Sequence, residues 1–185
     1  HTTYENVHTV AISADGEYIV AGSDDDKAYL FDKDSNTPLW SYETGDDVNA
    51  VAVSADGEYI AVGSEDNKLY LFEKDSNDPI WSYNFGDSVL SISISSDGEY
   101  ILAGTDDGVS LFDKDSNSPI RNFSVADHDS LSMSADGKYI LIGRNSYAYL
   151  YERSSSTPIS TYSNGDIETT SISADGKYIV LGYQQ

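Results

Sequence analysis

An all-β fold, a β-propeller of four-stranded antiparallel blades, is predicted by three features of the sequence. One phrase occurs five times, a second marks the same step, and no stretch shows helical periodicity. The first phrase is Ser13-Ala14-Asp15-Gly16-Glu17-Tyr18-Ile19, repeated at Ser54-Ala55-Asp56-Gly57-Glu58-Tyr59-Ile60, Ser134-Ala135-Asp136-Gly137-Lys138-Tyr139-Ile140 and Ser173-Ala174-Asp175-Gly176-Lys177-Tyr178-Ile179. A shorter copy, Ser96-Asp97-Gly98-Glu99-Tyr100-Ile101, stands between them, and the five glycines are 41, 41, 39 and 39 residues apart. The second phrase is Tyr29-Leu30-Phe31, then Tyr70-Leu71-Phe72, Ser110-Leu111-Phe112 and Tyr149-Leu150-Tyr151, each followed by a proline at 38, 79, 119 or 158. A period of about 40 residues filled by short strands is that of propeller blades.

Each period predicts four strands. Strand A alternates: Val51 and Val53 oppose Ala50 and Ala52, Ile92 and Ile94 oppose Ser91 and Ser93, and Leu131 and Met133 oppose Ser130 and Ser132. Period two is the strand signature, and a consistently small face suits inner strands crowded around an axis. Asp-Gly closes a tight turn in which glycine supplies positive φ. Strand B is apolar throughout, as in Tyr139-Ile140-Leu141-Ile142, so both its faces must be covered, as stacked blades allow. An acidic turn follows (Asp24-Asp25-Asp26-Lys27, Glu65-Asp66-Asn67-Lys68), then strand C, the Tyr-Leu-Phe phrase. The segment Asp32 to Pro38 turns into strand D, Leu39-Trp40-Ser41-Tyr42. One domain over 1–185 results, with units near 7–47, 48–88, 89–128, 129–166 and a partial 167–185.

The 185 residues suffice for one sizeable core. Ten Lys+Arg against 32 Asp+Glu give a formal charge of -22, spread along the whole chain. Such a surface repels phosphate backbones and anionic membranes, so nucleic acid is not expected as a partner, and no apolar run is long enough for membrane insertion. The absence of cysteine excludes disulfides and thiolate sites. The chain begins at His1, which reads as a processed, truncated or tagged start without a visible signal peptide. Acidity with prominent Ser, Asp and Tyr leans toward an extracellular or cell-surface address.

The stretch Val10 to Asp25 followed by Tyr29-Leu30-Phe31-Asp32 resembles a WD40-type blade almost position for position. The segments Pro38-Leu39-Trp40 and Pro79-Ile80-Trp81 are similar to the tryptophan-docking repeat of quinoprotein-like propellers. The resemblance implies a divergent prokaryotic propeller of the kind found in archaeal surface proteins. It maps the family's turn aspartate onto Asp25, Asp66 and Asp106, with Asn145 in the fourth unit. Two departures stand out. The tryptophan ending strand C is replaced by Phe31, Phe72, Phe112 and Tyr151, and Val48, Val89 and Ile167 stand where a Gly-His pair is expected. The family's His–Ser–Asp–Trp network is therefore not expected here.

Candidate chemistry is sparse. Asp32, Asp34 and Asn36, with Glu43 further on, match part of a calcium loop, but Thr37 occupies the place of the required glycine and no helices flank it. Turn aspartates bonding their own backbone explain the segment without an ion. The same account applies to Asp25, Asp66 and Asp106. The histidines are His1, His8 and His128, none recurs, and no Gly-x-Ser-x-Gly elbow appears, so no catalytic residue and no cofactor are expected. One sequon, Asn122-Phe123-Ser124, is present. Departures from the internal repeat gather in units three and four: Trp40 and Trp81 become Arg121 and Ser160, the acidic turn becomes Arg144-Asn145-Ser146-Tyr147, and His128 stands in a connection. Arg121, His128, Arg144 and Tyr147 are thus the candidate partner-binding residues.

The function expected is a non-catalytic interaction scaffold for protein–protein or cell-surface assembly. The alternatives are a calcium-binding adhesive module and a propeller-based hydrolase or lyase. The fifth unit lacks strands C and D, and Thr3-Tyr4 aligns only with the end of a strand D. The chain is therefore expected to be a piece of a longer propeller or to form a homo-oligomer.

Overall fold

The computed structural model describes residues 5–163 and 165–184. Four blades are complete. Blade 1 comprises β1 (Val7–Ile12), β2 (Tyr18–Ser23), β3 (Lys27–Asp32) and β4 (Trp40–Glu43). Blade 2 comprises β5 (Val48–Val53), β6 (Tyr59–Ser64), β7 (Lys68–Glu73) and β8 (Trp81–Asn84). Blade 3 is β9 (Ser91–Ile94), β10 (Tyr100–Thr105), β11 (Gly108–Asp113) and β12 (Arg121–Phe123). Blade 4 is β13 (Ser130–Met133), β14 (Tyr139–Arg144), β15 (Tyr147–Glu152) and β16 (Ser160–Ser163). A two-stranded fifth unit holds β17 (Asp166–Ile172) and β18 (Ile179–Gln184). All pairings are antiparallel between consecutive strands, as in Ile60↔Phe72 and Leu71↔Trp81. Strand D begins at the tryptophan, one residue later than the sequence suggests. Thr3-Tyr4, aligned above with a strand D, lies outside the described residues.

The A–B turn is built identically five times. Ser13 Oγ donates to Asp15 Oδ1 (2.6 Å) and accepts the Tyr18 N–H (3.0 Å), while Asp15 Oδ1 also accepts the Glu17 N–H. Ser54 with Asp56, Ser95 with Asp97, Ser134 with Asp136 and Ser173 with Asp175 repeat the pattern. In the third copy the working serine is Ser95, and Ser96 takes the alanine place. These serine bonds hold the carboxyls of Asp15, Asp56 and Asp136 below the usual carboxylate range.

The blades stack through a small set of repeated contacts. At the inner rim a main-chain relay runs from blade to blade: Ala14 N–H to Ala55 O, Ala55 N–H to Ser96 O, Ser96 N–H to Ala135 O, and Ala135 N–H to Ala174 O, each 2.8–3.0 Å. The tyrosine opening each strand B lies on the turn glycine of the next blade, Tyr18 on Gly57, Tyr59 on Gly98, Tyr100 on Gly137 and Tyr139 on Gly176. A cation lies over each of these rings: Lys74 over Tyr18, Lys114 over Tyr59, Arg153 over Tyr100 and Lys138 over Tyr139. A second set of plugs points the other way. Val48 fills the space over Gly22, Val89 over Gly63, His128 over Gly104 and Ile167 over Gly143. Outside, the Trp40 and Trp81 indole N–H groups donate to Lys74 O (2.8 Å) and Lys114 O (2.7 Å) of the following blade.

Between these contacts lie three apolar layers, one per pair of complete blades, with Leu30 and Phe72 in the first, Leu71 and Phe112 in the second, and Leu111 and Ile140 in the third. Strand B is sealed on both faces, with Ile60, Ala61 and Val62 fully buried. Among the described residues the main contacts between strands fall within a blade or between neighbouring blades, the pattern of a quasi-one-dimensional stack.

Candidate functional site

The turns divide between two faces of the ring. One carries the A–B and C–D turns; the other carries the B–C turns and the connections from strand D to the next strand A.

On the first face acidic groups are locally satisfied. Asp32 Oδ1 accepts the Asp34 N–H at 2.8 Å, and Asp34 pairs with Lys33 Nζ at 2.7 Å. Lys74 with Asp75 and Lys114 with Asp115 repeat that pair. Asp32 and Asp34 thus have partners within their own turn.

On the second face the acids of blades 1 and 2 crowd together. Carboxylate oxygens of Asp26, Asp46 and Asp47 lie within 4.8 Å of one another. Partial burial and the like charges of Asp24, Glu65, Asp46 and Asp26 push the Asp47 carboxyl above its usual range. Asp46 and Asp47 were not singled out by sequence, because their connection looks like any acidic loop; only the fold brings them beside Asp26. Further round the same face, Tyr83 and Phe85 of blade 2 meet Thr105, Asp107, Asn122 and Phe123 of blade 3 around a cavity of about 350 Å³. Asn122 of the sequon is held by Ser110 Oγ at 2.9 Å.

The turn aspartates behave differently from one another. Asp66 accepts the N–H groups of Lys68 (3.0 Å) and Gly45 (3.1 Å), as expected, and also the Tyr70 hydroxyl. Asp25 instead accepts the Tyr29 hydroxyl at 2.7 Å. Burial, together with these carboxylates, pushes both tyrosine hydroxyls well above their ordinary pKa. An Asp–Tyr pair thus replaces the family's histidine-and-tryptophan network, and Ser64 Oγ extends it to Asp46 O at 2.9 Å. The signal was visible in the sequence as a tyrosine four residues after each of these aspartates. Asp66→Ala would leave two main-chain donors and the Tyr70 hydroxyl without this partner. It is expected to cost about 1–3 kcal/mol in urea denaturation, against less than about 0.5 kcal/mol for Asp75→Ala on the opposite face.

The four candidate partner residues do not form one patch. Arg121 lies at the C–D end of blade 3, where its Nε donates to Arg153 O at 2.8 Å. It reproduces the bond of Trp40 and Trp81, so this departure from the repeat keeps the contact it seemed to lose. Arg144 and Tyr147 pair across the B–C turn of blade 4 on the opposite face; Tyr147 is exposed, and Arg144 lies 3.6 Å from Asp127. His128 is only 8% exposed and serves as the plug on Gly104. Its Nε2 meets Ser91 Oγ at 2.5 Å, a part-buried pair within the blade 3–4 contact.

Burial pushes the His128 pKa below its ordinary value, outweighing the pull of Asp129 and Asp106. The unfolded chain then binds more protons than the folded one as pH falls through about 6.5, so this group's contribution to stability declines from neutral pH downward. His128→Val, matching Val48 and Val89, is expected to flatten the fall in melting temperature between about pH 7 and pH 5. An unchanged slope in scanning calorimetry would show that other groups set it.

Blades, inner relay and repeat define a β-propeller repeat protein of WD40-like and quinoprotein-like type. The profile of the family described as "Outer membrane protein assembly factor BamB" matches residues 24–148, and the chain belongs to that family. The profile described as "WD domain, G-beta repeat" matches residues 1–32. Among solved structures, the β-propeller domain of Cps50 (Swd1) from Myceliophteria thermophila superposes with a TM-score of 0.86 at 13% identity. The match takes in 99% of this chain and 63% of that one, so the chain spans under two thirds of that neighbour. No curated protein matches the sequence.

Proposed function

We propose that the chain is a non-catalytic scaffold that binds a protein partner carrying a basic segment, on the face formed by the B–C turns and D–A connections. The observation that carries this reading is the asymmetry between the faces. Lysines and serines partner acids of the A–B and C–D face, whereas Asp26, Asp46 and Asp47 converge on one another on the face that also carries the aromatic-lined cavity. Uncompensated charge on a rigid surface steers oppositely charged partners and raises their association rate. Exposed Tyr147 and the Tyr83–Phe85 wall supply the apolar contact that charge alone does not. Assembly at a cell surface fits the same chemistry, since the acidic composition suits a salt-rich setting.

The test compares proteins retained from a native extract by the parent chain, by Asp26→Lys/Asp47→Lys, and by Asp34→Lys/Asp75→Lys. Partners held by the parent and the second variant but lost by the first support the proposal. Equal retention by all three overturns it. A second reading, a divalent cation among Asp26, Asp46 and Asp47, rests on their convergence; heat on titration of calcium into the parent, absent from Asp47→Lys, would favour it.

A further inference from the structure

Blade 3 lacks two side chains that the other complete blades carry at one place. Beside the B–C turn, strand C presents Lys27 and Tyr29 in β3, Lys68 and Tyr70 in β7, and Tyr147 and Tyr149 in β15. Residues two apart on a strand share a face. The same positions in β11 are Gly108 and Ser110, as the pairings Ser110↔Asn122 and Tyr70↔Ser82 fix. At the blade 1–2 contact the two groups have a visible role. The Tyr70 ring lies 5.3 Å from Tyr42, and Lys68 Nζ stands over that Tyr70 ring at 5.8 Å. Tyr42 thus meets two rings of blade 2, Tyr70 and Phe72. Its counterpart Tyr83 is left with one ring of blade 3, Phe112, among the described residues.

The cavity of about 350 Å³ lies where the second ring is missing. Gly108 and Ser110 line it from blade 3, and Tyr83 and Phe85 from blade 2. Phe85, which stands at the place of Thr44, does not refill the space. It packs edge-on against Tyr83 and Phe112, with centroids 4.9 and 5.9 Å away, and becomes part of the wall. An apolar cavity of about 150 Å³ already holds benzene, so there is room here for a ring with water beside it. Aromatic rings favour the offset and edge-to-face contacts that Tyr83 and Phe85 offer. The polar lining suits a ring that bears a hydroxyl. Tyr29 and Tyr70 donate their hydroxyls to the turn carboxylates Asp25 and Asp66, and Asp107, on the corresponding turn of blade 3, lines the cavity.

We propose that the cavity receives an aromatic side chain of the protein partner, seated where blade 3 omits its own tyrosine. The proposal rests on the basic-partner reading above and gives that partner a second requirement. Its segment carries an aromatic residue, with tyrosine the closest match, near its basic residues. The cavity opens among the B–C turns and D–A connections, the face on which Asp26, Asp46 and Asp47 converge. Charge speeds the encounter, and a ring in a desolvated pocket supplies the anchor.

Two capped pentapeptides test this by NMR titration in moderate NaCl, one with tyrosine between two pairs of lysines and one with alanine in its place. The parent chain is expected to bind the tyrosine peptide at least about tenfold more tightly. Ser110→Tyr returns the repeat's own ring to the cavity. That variant should melt at a higher temperature and bind both peptides alike. A parent that binds the two peptides equally, or neither, overturns the proposal; if equal binding falls in Asp26→Lys/Asp47→Lys, the basic-partner reading still stands. A tyrosine preference undiminished in that double variant supports the cavity and counts against the acidic cluster. A preference that survives Ser110→Tyr overturns the proposal, since the ring then sits elsewhere. Should Ser110→Tyr fold poorly, amide shifts in the unmodified chain decide, with p-cresol as the tyrosine side chain alone. Shifts confined to residues 83–86, 105–110 and 122–126 support the cavity, and shifts that are absent or scattered refute it.

Discussion

Gly57→Ala should lower stability by about 2–5 kcal/mol, while Gly16→Ala, the same substitution in the same turn, should cost only about 1–2 kcal/mol. Both glycines sit at nearly identical positive φ, 75° and 74°, and both close the same serine–aspartate turn. A left-handed conformation penalises any residue with a Cβ by about 1–2 kcal/mol, and that share is common to both. The difference lies in what the methyl meets. At Gly57 it runs into the Tyr18 ring, which is held from above by Lys74; at Gly16 it meets open space. The ring must either compress the contact or swing away and abandon it. Urea denaturation followed by the fluorescence of Trp40 and Trp81 measures both variants under one probe. Equal losses would mean that the tyrosine–glycine contact contributes nothing to blade stacking.

The same turn shows why so much of the architecture could be read from the chain. It needs serine to bridge aspartate and the strand-B amide, aspartate to accept the next N–H, and glycine to take positive φ. The phrase therefore recurs with little room for change, and its step sets the blade length. Strand B is apolar on both faces because blades cover both, and strand A alternates because one face meets the axis. The side chains that join blades were less legible. Trp40, Trp81 and Arg121 all donate to the next blade's carbonyl, yet an indole and a guanidinium share no pattern except a polar N–H at the end of a long flat group. Val48, Val89, His128 and Ile167 share only the size to fill the space over a glycine. His128 consequently reads in sequence as a departure suggesting a partner site, and in the structure as a plug. The acidic cluster of Asp26, Asp46 and Asp47 was hidden for a different reason. Asp26 stands about 20 residues from the adjacent Asp46 and Asp47, and only the strand lengths between them bring the carboxylates together.

Phe112→Ala should cost about 3–5 kcal/mol, the usual range for removing a fully buried ring, and should do so in a single transition. Phe112 has no exposed surface and stands against Trp81, Tyr83 and Phe85 of blade 2, with ring centroids 5.6, 5.1 and 5.9 Å away. Aromatic pairs at such separations add stabilisation beyond the area they bury. The cavity left by alanine is bounded by strands, which cannot collapse into it without breaking their ladders. Phe72, equally buried, fills the same role at the preceding contact, against Trp40 and Tyr42 of blade 1. The two losses should nevertheless look different. In a stack where each unit touches only its neighbours, weakening an end contact uncouples one unit, whereas weakening a middle contact divides the stack into two pieces that are each too small to persist. Phe72→Ala is therefore expected to broaden the transition, with the Trp40 signal of blade 1 melting before the remainder. Phe112→Ala is expected to lower the midpoint for all blades together. Thermal unfolding followed separately by tryptophan fluorescence and far-ultraviolet circular dichroism distinguishes them: the two probes should diverge for Phe72→Ala and coincide for Phe112→Ala. Coincident curves for both variants would mean that the blades melt as one cooperative body and that the nearest-neighbour description fails.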